Sequence, residues 1–208
     1  MAMLQASLLD LGDTARLSSL ATGRERTALS AGAWIEVRRN WITGSHEMFE
    51  TLIEQVPWRA ERREMYDSIV DVPRLTATYQ TGADAPHPMI EQARVALSQH
   101  YLPELGEEFV SAGLCYYRDG RDSVAWHGDR IGRGRNRDTM VAIVSLGADR
   151  DLSLRPRGGG PSRKVTLGSG DLIVMGGSCQ RTWEHCVPKV DASTGPRISI
   201  QFRPRDVR

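Results

Sequence analysis

From Gly106 onward the chain is a succession of short apolar segments cut by turn residues. They read GLCYY, SVAWHGD, TMVAIVSLG, DLSLRP, RKVTLG, DLIVMGG, TWEHCVP and RISIQFR. The gaps between them hold Gly, Asp, Pro and Arg. They are too short for the roughly dozen residues that a crossover between parallel strands takes. The spacing argues against a parallel α/β sheet, and an antiparallel sandwich or barrel of jelly-roll type is predicted. The first half reads differently. SHEMFETLIEQVPW carries Met48, Phe49, Leu52, Ile53 and Val56 at helical spacing, with a cap at Ser45 and an end at Pro57. APHPMIEQARVALSQHY repeats the pattern through Met89, Ile90, Ala93, Ala96 and Leu97. Between them, one short strand is expected over Leu75 to Tyr79. The expected fold class is mainly β with helices (α+β). A jelly-roll core over residues 106–208 follows an N-terminal, mainly helical region over residues 1–105, the two forming one compact unit.

A chain of 208 residues can bury a core without staples, and 40% hydrophobic with 25% charged residues is a globular composition. No apolar run approaches the ~18 residues of a membrane span. The first residues, MAMLQASLLDLGD, have neither a basic region nor a long apolar one, so no signal peptide is expected. Cys115, Cys179 and Cys186 form no CxxC pair; reduced thiols in the cytoplasm are the expectation. Net charge is only +1, which gives no global nucleic-acid signature. Charge is uneven, however. Between Arg130 and Lys164 nine basic residues stand against Asp138, Asp149 and Asp151. That stretch is either a phosphate-contacting patch or an ordinary solvated surface in an arginine-rich chain.

Residues i and i+2 of a strand share a face, so His127 and Asp129 project together, with Gly128 between them. Of the remaining histidines, His46, His87 and His100 lie in the first half, and His185 lies on a late core segment. Two histidines and one carboxylate make the facial triad of non-haem iron oxygenases. The pair by itself is a weak signal and favours two surface polar residues near a turn. The last segment adds to it. RISIQFR places Arg197, Ser199, Gln201 and Arg203 on one face and Ile198, Ile200 and Phe202 on the other. The two arginines are roughly 20 Å apart along a strand. Their side chains can converge on a short dianion, which guanidinium groups bind in bidentate fashion. The alternative is a pair of end-of-strand surface arginines. Cys179, His185 and Cys186 match no common zinc spacing. No GxSxG elbow is present. GGGPSRK lacks Walker spacing and reads as a hairpin loop.

Taken in order, YYRDGRDSVAWHGD, IVSLGADRDLSLRP, GSGDLIVMGGSCQRTWEHCVP and GPRISIQFRP resemble the AlkB-like Fe(II)- and 2-oxoglutarate-dependent dioxygenases. The likeness covers about the last hundred residues and extends upstream to VPRLTATYQ. It implies a double-stranded β-helix with His127, Asp129 and His185 as iron ligands. 2-Oxoglutarate and O2 would fill the remaining positions. Arg197 would grip the distal carboxylate of the cosubstrate, Arg203 would support the site, and Tyr117 would hydrogen-bond the cosubstrate. Cys115 and Ser199 stand where many members carry asparagines that contact 2-oxoglutarate. The implied reaction hydroxylates an N-methyl group on a damaged base, and the carbinol collapses to formaldehyde and the restored base. The implied partner is alkylated DNA, or RNA, acted on by a monomer. Tyr79 is a candidate for a nucleotide lid, and Arg74 for phosphate or for the gap left by a flipped base. Trp126 should point away from iron by alternation, as core packing first and base contact second. Arg130 opens a loop, RIGRGRNRD, suited to phosphate. Near Ile131, repair members carry an acid that reads an exocyclic amine. A tRNA or protein substrate, or a nucleic-acid-binding protein with a degenerate iron site, are the alternatives.

Overall fold

The strand at Arg197–Pro204 explains the architecture. It pairs antiparallel with Phe109–Tyr117 on one side and Val141–Gly147 on the other. All but one of its residues are buried. A strand buried on both faces needs a cover on each. One cover here is helical and the other is a second sheet. The structure is a computed structural model that describes residues 14–65 and 68–207, the side chains of residues 61–71 excepted.

In chain order the elements are β1 (Arg16–Leu17), β2 (Arg24–Ala28), β3 (Ala33–Arg38), β4 (Ile42–Thr43), α1 (Ser45–Gln55), β5 (Arg59–Met65), β6 (Ser68–Gln80), α2 (Met89–Leu105), β7 (Phe109–Tyr117), β8 (Val124–His127), β9 (Val141–Gly147), β10 (Arg150–Pro156), β11 (Arg163–Leu167), β12 (Leu172–Gly177), α3 (Cys179–Thr182), β13 (Trp183–Val187) and β14 (Arg197–Pro204). The large sheet has the order β2-β3-β12-β9-β14-β7-β6-β5, and the small sheet β11-β10-β13-β8. The two sheets form the jelly-roll. Each predicted core segment is a strand, β7 to β14.

The core has two layers. Ile198, Ile200 and Phe202 face α1 and α2, packing with Phe49, Leu52, Leu97 and Tyr101. Tyr117, Ile143, Leu152, Leu154, Met175 and Trp183 fill the space between the sheets. Each fully buried Leu, Ile or Phe contributes roughly 1.5–3 kcal/mol. The polar face of β14 therefore points into the interior of the sandwich, where the second sheet covers it.

The first half holds more strand than its sequence suggested. β2 and β5 are mostly charged and show no apolar alternation, so periodicity did not reveal them. They are the two edges of the large sheet, where charge discourages pairing with another chain. β6 extends well beyond the expected Leu75 to Tyr79. Ser45 does not cap α1. It is the first helical residue, Gly44 occupies the cap position, and the Ser45 hydroxyl bonds that of Ser169 at 2.8 Å. α2 continues through Pro103 and ends on Gly106 in the left-handed region at φ 78. Among the described residues no helix is long and apolar enough to cross a membrane. All three cysteines are free thiols.

Candidate active site

β8 is the edge of the small sheet and β13 its neighbour. Their register sets His127 opposite His185, with ring centroids 4.2 Å apart. Asp129 follows just past the end of β8, on the same side. One ligand atom from each of His127, Asp129 and His185 lies within 4.8 Å of the others. His127 Nδ1 is 2.8 Å from the Ala125 carbonyl oxygen. A nitrogen facing a carbonyl must carry the proton, which leaves Nε2 its lone pair. Nε2 stands 3.8 Å from Asp129 Oδ1. Asp129 and His185 are buried, while the His127 side chain is 38% exposed, so the cluster opens at His127.

The electrostatics hold two of these groups in ligand form. Burial opposes ionisation of Asp129, but the Arg203 guanidinium and then the two imidazoles outweigh it and hold its pKa at about 2. Burial, with His127 beside it, pushes His185 down to about 3. An ionised carboxylate and a neutral imidazole are what a divalent cation requires. Gly128 is needed by close approach: a Cβ there would lie 2.7 Å from the Gln180 carbonyl oxygen. Gln180 Oε1 accepts the Asp129 N–H at 2.9 Å.

A second cluster lies on the inner face of the large sheet. Arg197 is 1% exposed. Its Nε donates to Ser145 Oγ at 2.9 Å, while its buried Nη1 has no hydrogen-bond partner among the described residues. A buried guanidinium N–H without an acceptor is costly, and a carboxylate is the acceptor that fits it. The unmet donor therefore matches a carboxylate-bearing cosubstrate. Tyr117 is opposite Arg197 in the register. The Arg197 and Arg150 guanidiniums lie 5.2 Å and 5.5 Å from its ring centroid. Burial raises the Tyr117 hydroxyl pKa and lowers that of Arg197. Ser199 is opposite Cys115, and Gln201 joins them, donating to Ser199 Oγ and accepting from Cys115 Sγ. Arg203 goes elsewhere: its Nε donates to Asp129 Oδ2 at 2.6 Å. It crosses Gly113, where a Cβ would be 2.9 Å from Arg203 Nη1. The two arginines of β14 thus have different partners.

The remaining candidates are spread around this centre. Trp126 is half-buried, with the Arg155 guanidinium 4.2 Å from its ring centroid. Arg74 is half-buried and its Nη1 donates to the Ser123 carbonyl at 3.4 Å. Tyr79 packs against the helical layer. Arg130 is half-buried, with Nε unpartnered among the described residues. The basic stretch is partly consumed internally: Arg133 pairs with Glu107, Arg155 and Arg157 with Glu184, and Lys164 with Asp151. Arg135, Arg137 and Arg163 are exposed. Sequence reading missed Gln180, Ser145 and Gly113, and took Arg133 and Arg150 only as members of the basic stretch. Ser145 interrupts an apolar run and gave a faint signal. Gln180 and Gly113 gave none, because their partners are distant in sequence.

A jelly-roll that holds two imidazoles and a carboxylate, with a buried guanidinium whose Nη1 lacks an acceptor in the same sandwich, defines the class of non-haem, carboxylate-cosubstrate oxygenases. Residues 39–203 match the 2OG-Fe(II) oxygenase superfamily, and the chain belongs to it. It is an AlkB-like Fe(II)- and 2-oxoglutarate-dependent dioxygenase, with O2 as the third reactant. Its similarity to the human alpha-ketoglutarate-dependent dioxygenase alkB homolog 3 is 30% identity, covering 94% of this chain and 72% of that protein. With the human DNA oxidative demethylase ALKBH2 the identity is 28%, covering 76% of this chain and 67% of that protein. The fold is that of the solved structure of OsALKBH1, with TM-score 0.58 and 14% identity, covering 87% of this chain and 100% of that one.

Proposed function

We propose that the protein removes N-alkyl groups from bases in nucleic acid, with DNA the first substrate to test and RNA the second. The observation that carries this reading is the His127, Asp129 and His185 cluster in the same sandwich as the buried, unpartnered Arg197 Nη1. His127 Nε2, an Asp129 oxygen and a His185 ring nitrogen are the proposed iron ligands. Iron with 2-oxoglutarate and O2 supplies the oxidation: the cosubstrate leaves as succinate and CO2, and the N-alkyl carbon gains a hydroxyl. The resulting carbinol then loses the matching aldehyde, formaldehyde for a methyl group, and returns the N–H of the base.

The residues supply placement. Arg197 binds the distal carboxylate of the cosubstrate, held straight by its Nε bond to Ser145. Tyr117, Cys115 and Ser199 line the same face and supply weaker polar contacts. Arg203 orients Asp129 through the Nε bond. Arg74 and Arg130, with exposed Arg135 and Arg137, are the proposed phosphate contacts, and Trp126 and Tyr79 support the strands beside the base. The region up to Leu105 is proposed to frame the nucleotide. Support for a nucleic-acid substrate comes from the similarity to the DNA oxidative demethylase ALKBH2 and from the exposed arginines of the segment that follows Asp129.

The test is mass spectrometry on a mixed panel of methylated DNA, RNA and peptide substrates with Fe(II) and 2-oxoglutarate. Repair of the oligonucleotides, matched by succinate and formaldehyde and lost in His127→Ala, is expected. Succinate formed only with the peptide would overturn the substrate class. Full turnover by His127→Ala would overturn the ligand set.

A further inference from the structure

Asp129 sits beyond the end of β8, on irregular backbone, and the loop that follows it is held by the last residues of the described chain. Gly132 forms an antiparallel bridge with Val207. The Arg133 N–H donates to the Asp206 carbonyl at 2.7 Å. Val207 is 3% exposed and packs into the layer between the sheets. Gly134 lies so close under Asp129 that a Cβ there would be 2.1 Å from the Asp129 carbonyl oxygen. The segment 203–207 is therefore a strap across the loop, and Arg203 reaches from the same strap to the Asp129 carboxylate at 2.6 Å.

One side chain ties the strap, the loop and the turn between α2 and β7 together. Arg133 Nη2 lies 2.6 Å from both Glu107 carboxylate oxygens and 2.7 Å from the Arg205 carbonyl oxygen, to which Nε also donates at 3.0 Å. The Arg133 and Glu107 side chains are 34% and 30% exposed. An ion pair that exposed adds little to global stability. Its place is local: it restrains a loop whose neighbouring residue is a metal ligand in the reading above.

We infer that Arg133 is a positioning residue for the metal centre, pinning the Asp129 loop to Glu107 and to the Arg205 carbonyl. This rests on His127, Asp129 and His185 being the metal ligands. Groups that orient metal ligands from behind typically change metal affinity by about 10–100-fold when removed. Arg133 acts at one remove further, so about tenfold is expected.

The experiment is Mn(II) titration of the full chain by calorimetry, with the melting temperature of each metal-free variant measured in parallel. Arg133→Gln should bind Mn(II) about tenfold more weakly, with a metal-free melting temperature close to that of wild type. Arg133→Lys, which can reach one partner but not both, should lose part of that affinity. Arg26→Gln is the control: its side chain is 37% exposed and ion-paired to Glu36 on β3 and Glu104 on α2. It should leave Mn(II) affinity unchanged whatever it does to the melting temperature. Wild-type affinity in Arg133→Gln, or equal weakening in Arg26→Gln, overturns the inference while the ligand assignment stands. Wild-type affinity in Asp129→Ala overturns the ligand assignment, and the inference with it.

Discussion

At the scale of single residues, Arg197 separates function from stability. A buried guanidinium whose Nη1 has no acceptor is a poor way to stabilise a sandwich interior. Arg197→Met keeps an unbranched apolar stem, two atoms shorter, and removes the unmet donor. The metal-free variant is expected to melt at or above the wild-type temperature. Its 2-oxoglutarate affinity should fall about 10–100-fold, since a hydrogen bond to a charged group contributes about 1.5–3 kcal/mol. Calorimetry with 2-oxoglutarate and a thermal melt check both. A large fall in melting temperature would assign the guanidinium a structural role instead. His127, Asp129, His185 and Arg197 were legible from alternation and residue type. Gln180, Arg133 and Gly113 were not: a glutamine that accepts one backbone N–H, or a glycine that a guanidinium crosses, leaves no pattern in its own neighbourhood.

At the scale of elements, β3 is tied to β2 and α2 through one buried carboxylate. Glu36 is 3% exposed and accepts from Arg24, Arg26 and Tyr101. Burial opposes its ionisation, but bonds from Tyr101, Arg26 and Arg24 outweigh that and lower its pKa from the ordinary 4.5. A carboxylate whose folded pKa is depressed stabilises fully above its unfolded value and loses that contribution as pH falls through the folded one. Glu36→Gln is therefore expected to cost about 1.5–3 kcal/mol at neutral pH. The gap to wild type should shrink once the pH drops below 4.5. Urea unfolding at pH 7 and at successive acidic values measures it, and a gap independent of pH would mean that the charge of Glu36 is not what the arginines hold. The core strands β7 to β14 were readable because each alternates or is apolar throughout. β2 and β5 were not, because an edge strand is specified by the neighbour it pairs with, and its charges resemble those of a loop.

At the scale of the whole molecule, ligands that bind only the folded chain shift its unfolding. Mn(II) and 2-oxoglutarate at about a hundred times their dissociation constants add about 2.7 kcal/mol each. For a chain of this size each should raise the melting temperature by about 5–10 °C. Thermal melts should show His127→Ala losing the metal-dependent rise and Arg197→Met losing only the cosubstrate-dependent one; a rise from both ligands retained in both variants would place the binding elsewhere. The sequence by itself determined the strand class of the second half, the face on which each candidate side chain stands, and the residue types able to hold a metal and a dianion. These are local properties, set by the period of two along a strand. The tertiary structure decided which faces meet: that His127 stands opposite His185, that Arg203 turns to Asp129 while Arg197 stays buried beside Tyr117, and that the last residues strap the Asp129 loop. Register and pairing between distant segments follow from which arrangement buries both apolar layers at once, and no window of sequence contains that choice.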